Sequence, residues 1–425
     1  MQGSADYTGM FEWFRHELED WCRTGKEPRD GNQDVKYYLD LQEKRMKDRG
    51  LTMELKLEPV IRPVSAHEIT STSPLFQNTD LSRFNRSSYY QQVNQTLIFR
   101  REGKEVFLYE NSPTFYETIL DADPENAFLG TTTYICPNCG AAARVEQLQT
   151  SGCPYCGTRY MMADLYPKVV NFYRIDGAGF SLQKARNAVR NNVKRSLVFA
   201  AFITAGALLS IGEFHLFMLF MGAIVFGMAF GMAMLFQQMF LSFCTIGKVL
   251  HSAGKSIQVY GGSAGTKKRI TEELCIYDPR FDYEYFESKA LSLARIVMFH
   301  PNLSDCVEYQ GAVRENPFQN VIDVHYRGGF KVESVKEIQG NIHVILDLYL
   351  NLIWDNGKKI KAGSKNVRLH MFHSVDFPVD DSFTAAQVQC QNCAGSFDAR
   401  KSRRCPFCGA DYDLSVDDWA VLDLR

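Results

Sequence analysis

The sequence predicts an α+β fold class: a multidomain membrane protein with two zinc ribbons, a two-helix transmembrane hairpin and an α+β cone. Three observations lead to this prediction. Eight of the twelve cysteines form four CxxC pairs in two groups, a membrane-length apolar stretch separates the groups, and alternating apolar residues flank both. The balance of 47 basic and 49 acidic residues gives no electrostatic argument for a nucleic-acid partner, and we expect none.

These patterns divide the chain into seven expected segments. They are an amino-terminal α+β cytoplasmic domain (1–133), zinc ribbon 1 (134–165), a basic linker or helix (166–195), the transmembrane hairpin (196–246), a flexible basic linker (247–271), an α+β domain (272–385) and zinc ribbon 2 (386–425).

The amino-terminal segment begins with two helical patterns and continues with strands. Apolar residues at helical spacing predict helices near Thr8–Arg23 and Asp34–Arg49. Alternation begins at Leu51, and Gln95–Glu110 is typical of a hairpin that turns at Glu102–Lys104. This segment contains no recognisable set of catalytic residues.

The two cysteine groups have the spacing of four-thiolate zinc sites. The ligands expected in ribbon 1 are Cys136, Cys139, Cys153 and Cys156, and those in ribbon 2 are Cys390, Cys393, Cys405 and Cys408. One CxxC turn supplies two thiolates, so two facing turns close a tetrahedron and leave no open position, which predicts two structural zinc ions. Disulfides in an oxidising compartment are the alternative, which the CPxCG-type turns disfavour.

The ribbons resemble each other in sequence. Cys-Pro-Tyr-Cys-Gly at 153–157 is matched by Cys-Pro-Phe-Cys-Gly at 405–409, and a strand-like apolar tail follows each ribbon. This similarity suggests that a unit made of a domain and a ribbon occurs twice in the chain.

The apolar stretch between the groups predicts two membrane-spanning helices. Ser196–Gly212 and Leu216–Phe236 are uncharged, and Glu213–His215 would form the turn between them. Basic residues flank the pair on both outer sides, which predicts an integral protein of the cytoplasmic (inner) membrane with both termini cytoplasmic. A buried hairpin in the core of a soluble protein is the alternative.

Within the second apolar run, Gly227 and Gly231 form a GxxxG pair. Small residues at this spacing let helices approach closely, either within the hairpin, which we favour, or between copies in a homo-oligomer. Neither run contains an ionisable residue, which argues against a transporter or channel. The basic linker that follows suggests contact with anionic membrane lipid.

Residues 272–385 predict a helix followed by an antiparallel meander. The helix is expected over Pro279–His300, and strands over Phe330–Ile338, Ile342–Trp354 and Val367–Val375. Asn356-Gly357 is a strong turn signal between the last two strands. A helix that covers a curved sheet in this way forms an α+β cone.

The last third of the chain, from Cys275 to Arg425, resembles the Tim-forty-four-like family, and specifically its bacterial membrane-anchored members with a carboxy-terminal zinc ribbon. The motifs that carry the resemblance are a helix start (Asp278, Pro279, Phe281, Asp282, Phe286) and, after the ribbon, an Asp-Trp-x-x-L tail (Asp418, Trp419, Leu422). The resemblance implies a nuclear-transport-factor-two-like fold for the cone, membrane association and a scaffolding role. Mitochondrial members tether an import motor to the translocon, but the hairpin and the amino-terminal ribbon depart from that pattern.

These expectations lead to a non-enzymatic function. The chain is expected to be a membrane-anchored, zinc-binding scaffold or adaptor that organises a membrane or protein-translocation-related complex with a protein partner. Binding of a lipid or small apolar ligand by the cone is the alternative. Asp282, Glu284 and Glu287 are interpreted as a solvated helix face. His370 and His373 would face opposite sides of a strand and make a poor metal pair.

Overall fold

The computed structural model describes residues 6–61, 64–65, 84–122, 133–176 (except 137 and 140), 193–205 (except 199 and 203), 223–235 (except 233), 266–376 (except 279 and 280) and 385–425 (except 387). The chain divides into two compact units. One unit comprises Met1–Gly177 and Val259–Arg425, and the other comprises Ala178–Gln258. The strands named below and both cysteine groups belong to the first unit.

The amino-terminal half of the first unit starts with two helices, α1 (Thr8–Thr24) and α2 (Gln33–Asp48), which agree with the predicted helices to within one residue. The strands that follow are β1 (Leu51–Pro59), β2 (Val64–Ser65), β3 (Phe84–Arg101), β4 (Lys104–Asn111) and β5 (Thr114–Ala122). Ribbon 1 contains β6 (Thr133–Ile135), β7 (Ala142–Arg144), α3 (Val145–Thr150) and α4 (Met162–Leu165), and β8 (Lys168–Ile175) follows it.

The carboxy-terminal half contains one long helix and a second set of strands. They are α5 (Tyr283–Phe299), β9 (Val321–Ile338), β10 (Asn341–Asp355) and β11 (Ile360–Ser374). Ribbon 2 contains β12 (Val388–Gln389), β13 (Ser396–Phe397) and a 3-10 turn (Leu414–Val416), and β14 (Ala420–Leu424) follows it. The predicted helix and strands of this region are therefore present, with longer strands than expected.

A ten-stranded sheet runs through both halves of the described chain, in the order β1-β3-β5-β8-β9-β10-β11-β14, with β2 and β4 paired to β3. Each half contributes an antiparallel four-stranded set whose third and fourth strands are separated in sequence by a ribbon. The halves meet where β8 pairs with β9 in parallel, at Ile175 and Tyr326. The same topological unit thus occurs twice, as the two ribbons suggested.

This architecture corrects the predicted fold class. The cone was expected as a fold of its own, but its strands β9, β10 and β11 continue the sheet of the amino-terminal half. The strand-like tail predicted after ribbon 1 is β8 (Lys168–Ile175), but the sequence pattern could not show that β8 pairs with β9 and joins the two halves.

The predicted transmembrane hairpin is also wrong, and with it the integral inner-membrane localisation. None of the helices in the described ranges is both long enough and apolar enough to cross a membrane. A crossing helix needs about 20 apolar residues, whereas the described helical residues here lie within 193–205 and 223–235. The remaining parts of the predicted hairpin, 206–222 and 236–246, lie outside the described residues. Among the described residues outside the helix's own backbone, no atom lies within 4 Å of the position that a Cβ would occupy at Gly227 or Gly231.

The core of the first unit is rich in aromatic rings. Phe14 and Phe115, from α1 and β5, both pack on Phe172 of β8, with ring centroids 5.3 and 6.1 Å apart. Helix α5 is buried along most of its length, and its Phe286 makes an edge contact with Trp419 beside β14 at 5.3 Å. The Asp-Trp ending therefore fixes the last strand to the central helix.

A buried charge cluster lies at the junction of the two halves. Its charged members are Arg174, Asp176, Asp323 and His325. The Arg174 guanidinium donates to both oxygens of Asp323 at 2.7 and 2.9 Å. The His325 ring lies between the two carboxylates, 3.1 Å from Asp176 and 2.9 Å from Asp323. These contacts raise the pKa of His325 against the effect of burial, and the cluster thus balances two acids with two bases.

Candidate metal centres

Both ribbons present their cysteines on turns with the same hydrogen bonds. In all four CxxC pairs the backbone N–H of the first cysteine donates to the carbonyl five residues later, at 2.8 to 2.9 Å. The first cysteine of each pair is buried and the second is exposed. The turns of each ribbon thus present four sulfur atoms to one point.

The thiol groups of each set are clustered closely enough to hold a metal ion. The four Sγ atoms of each set lie within 4.8 Å of one another. In ribbon 1 the Sγ atoms of Cys136 and Cys156 are 3.6 Å apart, and in ribbon 2 so are those of Cys393 and Cys405. A disulfide requires about 2.05 Å between sulfurs, so these cysteines are free thiols. The predicted ligand sets are therefore assembled as expected from their spacing.

The residue after a CxxC pair adopts a left-handed backbone. Gly157 has φ +72° and Gly409 has φ +74°, as suits glycine, but Ala394 has φ +57° at the corresponding position of ribbon 2. A residue with a Cβ is strained by about 1–2 kcal/mol in this region. The sequence identifies Ala394 as the exception, because Gly follows the other three CxxC pairs.

We expect Ala394→Gly to stabilise ribbon 2 by about 0.5–1 kcal/mol. The strain energy that glycine relieves in the folded state exceeds the free-energy cost of the conformational entropy that it adds to the unfolded chain. The matched control is Ala410→Gly, because Ala410 does not have a positive φ and its replacement should destabilise the ribbon by a similar amount. Chemical denaturation of both variants measures the difference, and equal shifts in the two variants would contradict the assignment of strain.

Local hydrogen bonds favour the thiolate at the last cysteine of each ribbon. Contacts with the side chain and backbone N–H of Thr158 lower the pKa of Cys156 to about 6. The backbone N–H of Ala410, followed by the Asn392 side chain, lowers the pKa of Cys408 to about 6. Since metals bind the thiolate, these contacts favour the ligand form at Cys156 and Cys408. At Cys139 and Cys393 a backbone hydrogen bond also favours the thiolate, but contacts with the other cysteines of each set raise the pKa to about 12.

Ribbon 2 is joined to the helices by buried charges that ribbon 1 does not share. Arg400, between its two CxxC pairs, forms ion pairs with Asp34 of α2 and, at 3.3 Å, with Glu308. Its guanidinium also lies over the Tyr37 ring, 4.3 Å from the centroid. Lys289 of α5 contacts Asp34 as well, at 3.5 Å. Nothing in the sequence distinguishes Arg400 from its exposed basic neighbours Lys401 and Arg404.

Ribbon 1 packs on a smaller apolar cluster of its own. Leu120 and Ala122 at the end of β5 join Cys136, Val145 and Leu165 in this cluster. Within the ribbon, the Tyr134 hydroxyl donates to the Leu165 carbonyl at 2.9 Å. Ribbon 1 thus contacts the end of the sheet, whereas ribbon 2 is linked to two helices.

An aromatic side chain is exposed at the tip of both ribbons. Tyr155 is 68% exposed and Phe407 is 69% exposed, and each is the residue after proline in its Cys-Pro-x-Cys turn. Single exposed aromatic side chains are common on protein surfaces, and these two differ in occupying equivalent positions on two similar turns. The sequence comparison of the ribbons identified these positions but not their exposure.

Glu287 differs from its interpretation as part of a solvated helix face. It is half-buried, and it accepts a hydrogen bond of 2.5 Å from the Tyr326 hydroxyl. Burial raises the pKa of Glu287 to about 7. Asp282 instead caps the amino terminus of α5, where its carboxylate accepts from the Tyr285 N–H at 2.8 Å.

A small cavity lies between the helices and the sheet. Its volume is about 20 Å³, and its lining includes Cys22, Tyr38, Arg174 and Asp323. The buried Tyr38 hydroxyl has no hydrogen-bond partner among the described residues. A space of this size holds about one water molecule, so this cavity does not accommodate a lipid chain.

Comparison with known proteins gives no relative for this chain. No protein-family model matches it, no curated protein matches it, and no solved structure matches it. The resemblance to the Tim-forty-four-like family therefore rests on the sequence motifs alone.

Proposed function

We propose that this chain is a zinc-stabilised interaction scaffold. Zinc is the metal that suits the two cysteine groups best, because four thiolates at about 2.3 Å from a tetrahedral Zn²⁺ lie about 3.8 Å apart. Two Sγ–Sγ distances in each set are 3.6 Å, close to this value, and all the others are within 4.8 Å. Four protein ligands leave no coordination position for a substrate or a reactive water, which favours a structural role for both ions.

The proposed contacts with a partner are made by the exposed tips of the ribbons. Tyr155 and Phe407 present equivalent aromatic surfaces from two metal-stabilised turns. Aromatic side chains are common anchors of protein interfaces, and a rigid turn loses little entropy when its side chain is buried by a partner. We infer that each tip binds a protein partner and that the ten-stranded sheet holds both tips on one platform.

Site-specific photo-crosslinking in the native cell tests this function. A photoreactive phenylalanine analogue at position 155 or 407 should capture discrete proteins that are recovered at stoichiometric levels. Trp13 provides a matched control, because it is an aromatic residue of α1 that is 60% exposed and lies outside the ribbons. Crosslinking at both tips that does not exceed the background seen at position 13 would contradict the scaffold function.

A further inference from the structure

Two histidines meet on neighbouring strands outside the ribbons. His343 lies in β10 and His370 in β11, one diagonal step apart in the antiparallel register, since His343 is opposite Phe372 and His370 is opposite Ile345. The Nδ1 atom of His343 is 3.1 Å from the Nε2 atom of His370. The partner of His370 is therefore a cross-strand residue, whereas His373 is buried and its ring contacts the Ser374 carbonyl.

Ring contacts orient His343, and both histidines are accessible to solvent. The His343 ring stacks on the Phe372 ring at an angle of 12°, with centroids 5.6 Å apart. The backbone of Ile338 also contacts the His343 ring. Both histidines are half-buried rather than enclosed, so an ion can reach them from solvent.

The separation of the two nitrogens suits a shared metal ion. Imidazole nitrogens bind divalent transition metals at about 2.0–2.1 Å, so two such ligands at a right angle lie about 3.0 Å apart, and two at a tetrahedral angle about 3.4 Å. At 3.1 Å the two nitrogens share a hydrogen bond, and this separation also falls between the two values above. A metal ion would therefore take the place of the shared proton, and the imidazole that donates it would bind as its other tautomer. We propose that His343 and His370 form a third metal site, which binds a borderline divalent transition-metal ion through Nδ1 and Nε2.

The charges around the pair permit this binding. Burial lowers the pKa of both His343 and His370, which favours the neutral imidazole that a metal needs. Asp423 of β14 lies opposite His370, and its carboxylate is paired with Arg314 at 2.5 Å and Arg425 at 3.2 Å. With two protein ligands, the ion would keep coordination positions for water or a further ligand, unlike the ions of the closed ribbons.

Nickel binding to the zinc-loaded, untagged chain tests the site. Equilibrium dialysis against Ni²⁺ should show one ion bound per chain in addition to the zinc, with retention of both zinc ions. His343→Asn and His370→Asn should each abolish this uptake. His16→Asn is the matched control, because His16 is an exposed histidine of α1, and it should leave nickel binding unchanged.

A measurement on the unaltered chain makes the test independent of the variants. Ni²⁺ is paramagnetic, so a substoichiometric amount should broaden the ring ¹⁵N signals of two of the nine histidines, His343 and His370. No saturable nickel uptake, uptake that persists in both variants, or broadening confined to other histidines would each overturn the proposal. Because both readouts use nickel, they remain decisive even if the ribbon metal is not zinc or the tips bind no partner.

Discussion

We expect Cys405→Ser to remove one of the two metal ions and to unfold ribbon 2. Serine cannot replace a thiolate ligand at this site, and binding of a structural Zn²⁺ contributes about 10–16 kcal/mol of apparent free energy in small modules. That contribution is comparable to the whole stability of a typical domain, about 5–15 kcal/mol. Metal analysis of the purified chain should fall from about two zinc ions to about one, as four-ligand sites require.

The structural consequence of this variant should extend beyond the ribbon. Unfolding ribbon 2 removes Arg400 from Asp34 and Glu308, so the buried Glu308 loses this ion pair and Asp34 of α2 keeps its Lys289 contact but loses its Arg400 ion pair. Amide hydrogens of α2 should therefore exchange faster in Cys405→Ser. The matched variant is Cys153→Ser in ribbon 1, which should also lose one ion but leave exchange in α2 unchanged, because ribbon 1 packs on its own cluster at the end of β5.

Two outcomes would contradict this account. An unchanged metal content in Cys405→Ser would refute the ligand assignment. Faster exchange in α2 in both variants, or in neither, would show that Arg400 does not link ribbon 2 to the helices. The two variants thus test the metal ligands and the Arg400 link to the helices separately.

Local elements were predictable because their signals are local. The helical spacing of α1, the turn after β3 and the CxxC spacing each depend on a few consecutive residues. In the structure the β3–β4 turn has positive φ at Glu102 and Gly103, within the turn predicted at Glu102–Lys104. The two cysteine clusters were predictable for the same reason, since each CxxC turn brings two thiols together and a four-thiolate site needs two such turns.

Long-range pairing was not predictable from these signals. The sequence does not show that β8 pairs with β9, because this contact joins residues about 150 positions apart along one short parallel register, at Ile175 and Tyr326. The same limit hid the contact of His343 with His370 and the role of Arg400. An uncharged run of residues also proved insufficient evidence for a membrane crossing, because the run must also form one continuous helix of sufficient length.

The second large effect is expected from Asp323→Asn, which should destabilise the first unit by about 3–5 kcal/mol. The substitution keeps the shape of the side chain but removes the charge that Arg174 and His325 both contact at 2.7 to 2.9 Å. These groups are almost fully buried, so bulk solvent cannot replace the lost charge. Chemical denaturation followed by circular dichroism measures the change in the free energy of unfolding.

A surface pair provides the control for the same substitution. Asp347 pairs with Arg368 at 2.8 Å, but the Arg368 side chain is 43% exposed, so Asp347→Asn should cost less than about 1 kcal/mol. If both variants lost the same stability, burial would not be the cause of the effect.

The charge balance of the cluster leads to a sharper expectation for a double variant. Arg174→Met together with Asp323→Asn removes one charge of each sign and leaves His325 paired with Asp176 at 3.1 Å. Since the large cost of the single variant comes from an unpaired buried charge, the double variant should be more stable than the sum of the two single effects by about 0.5–3 kcal/mol. Additive losses would instead mean that the two side chains stabilise the junction independently, through packing rather than through their charges.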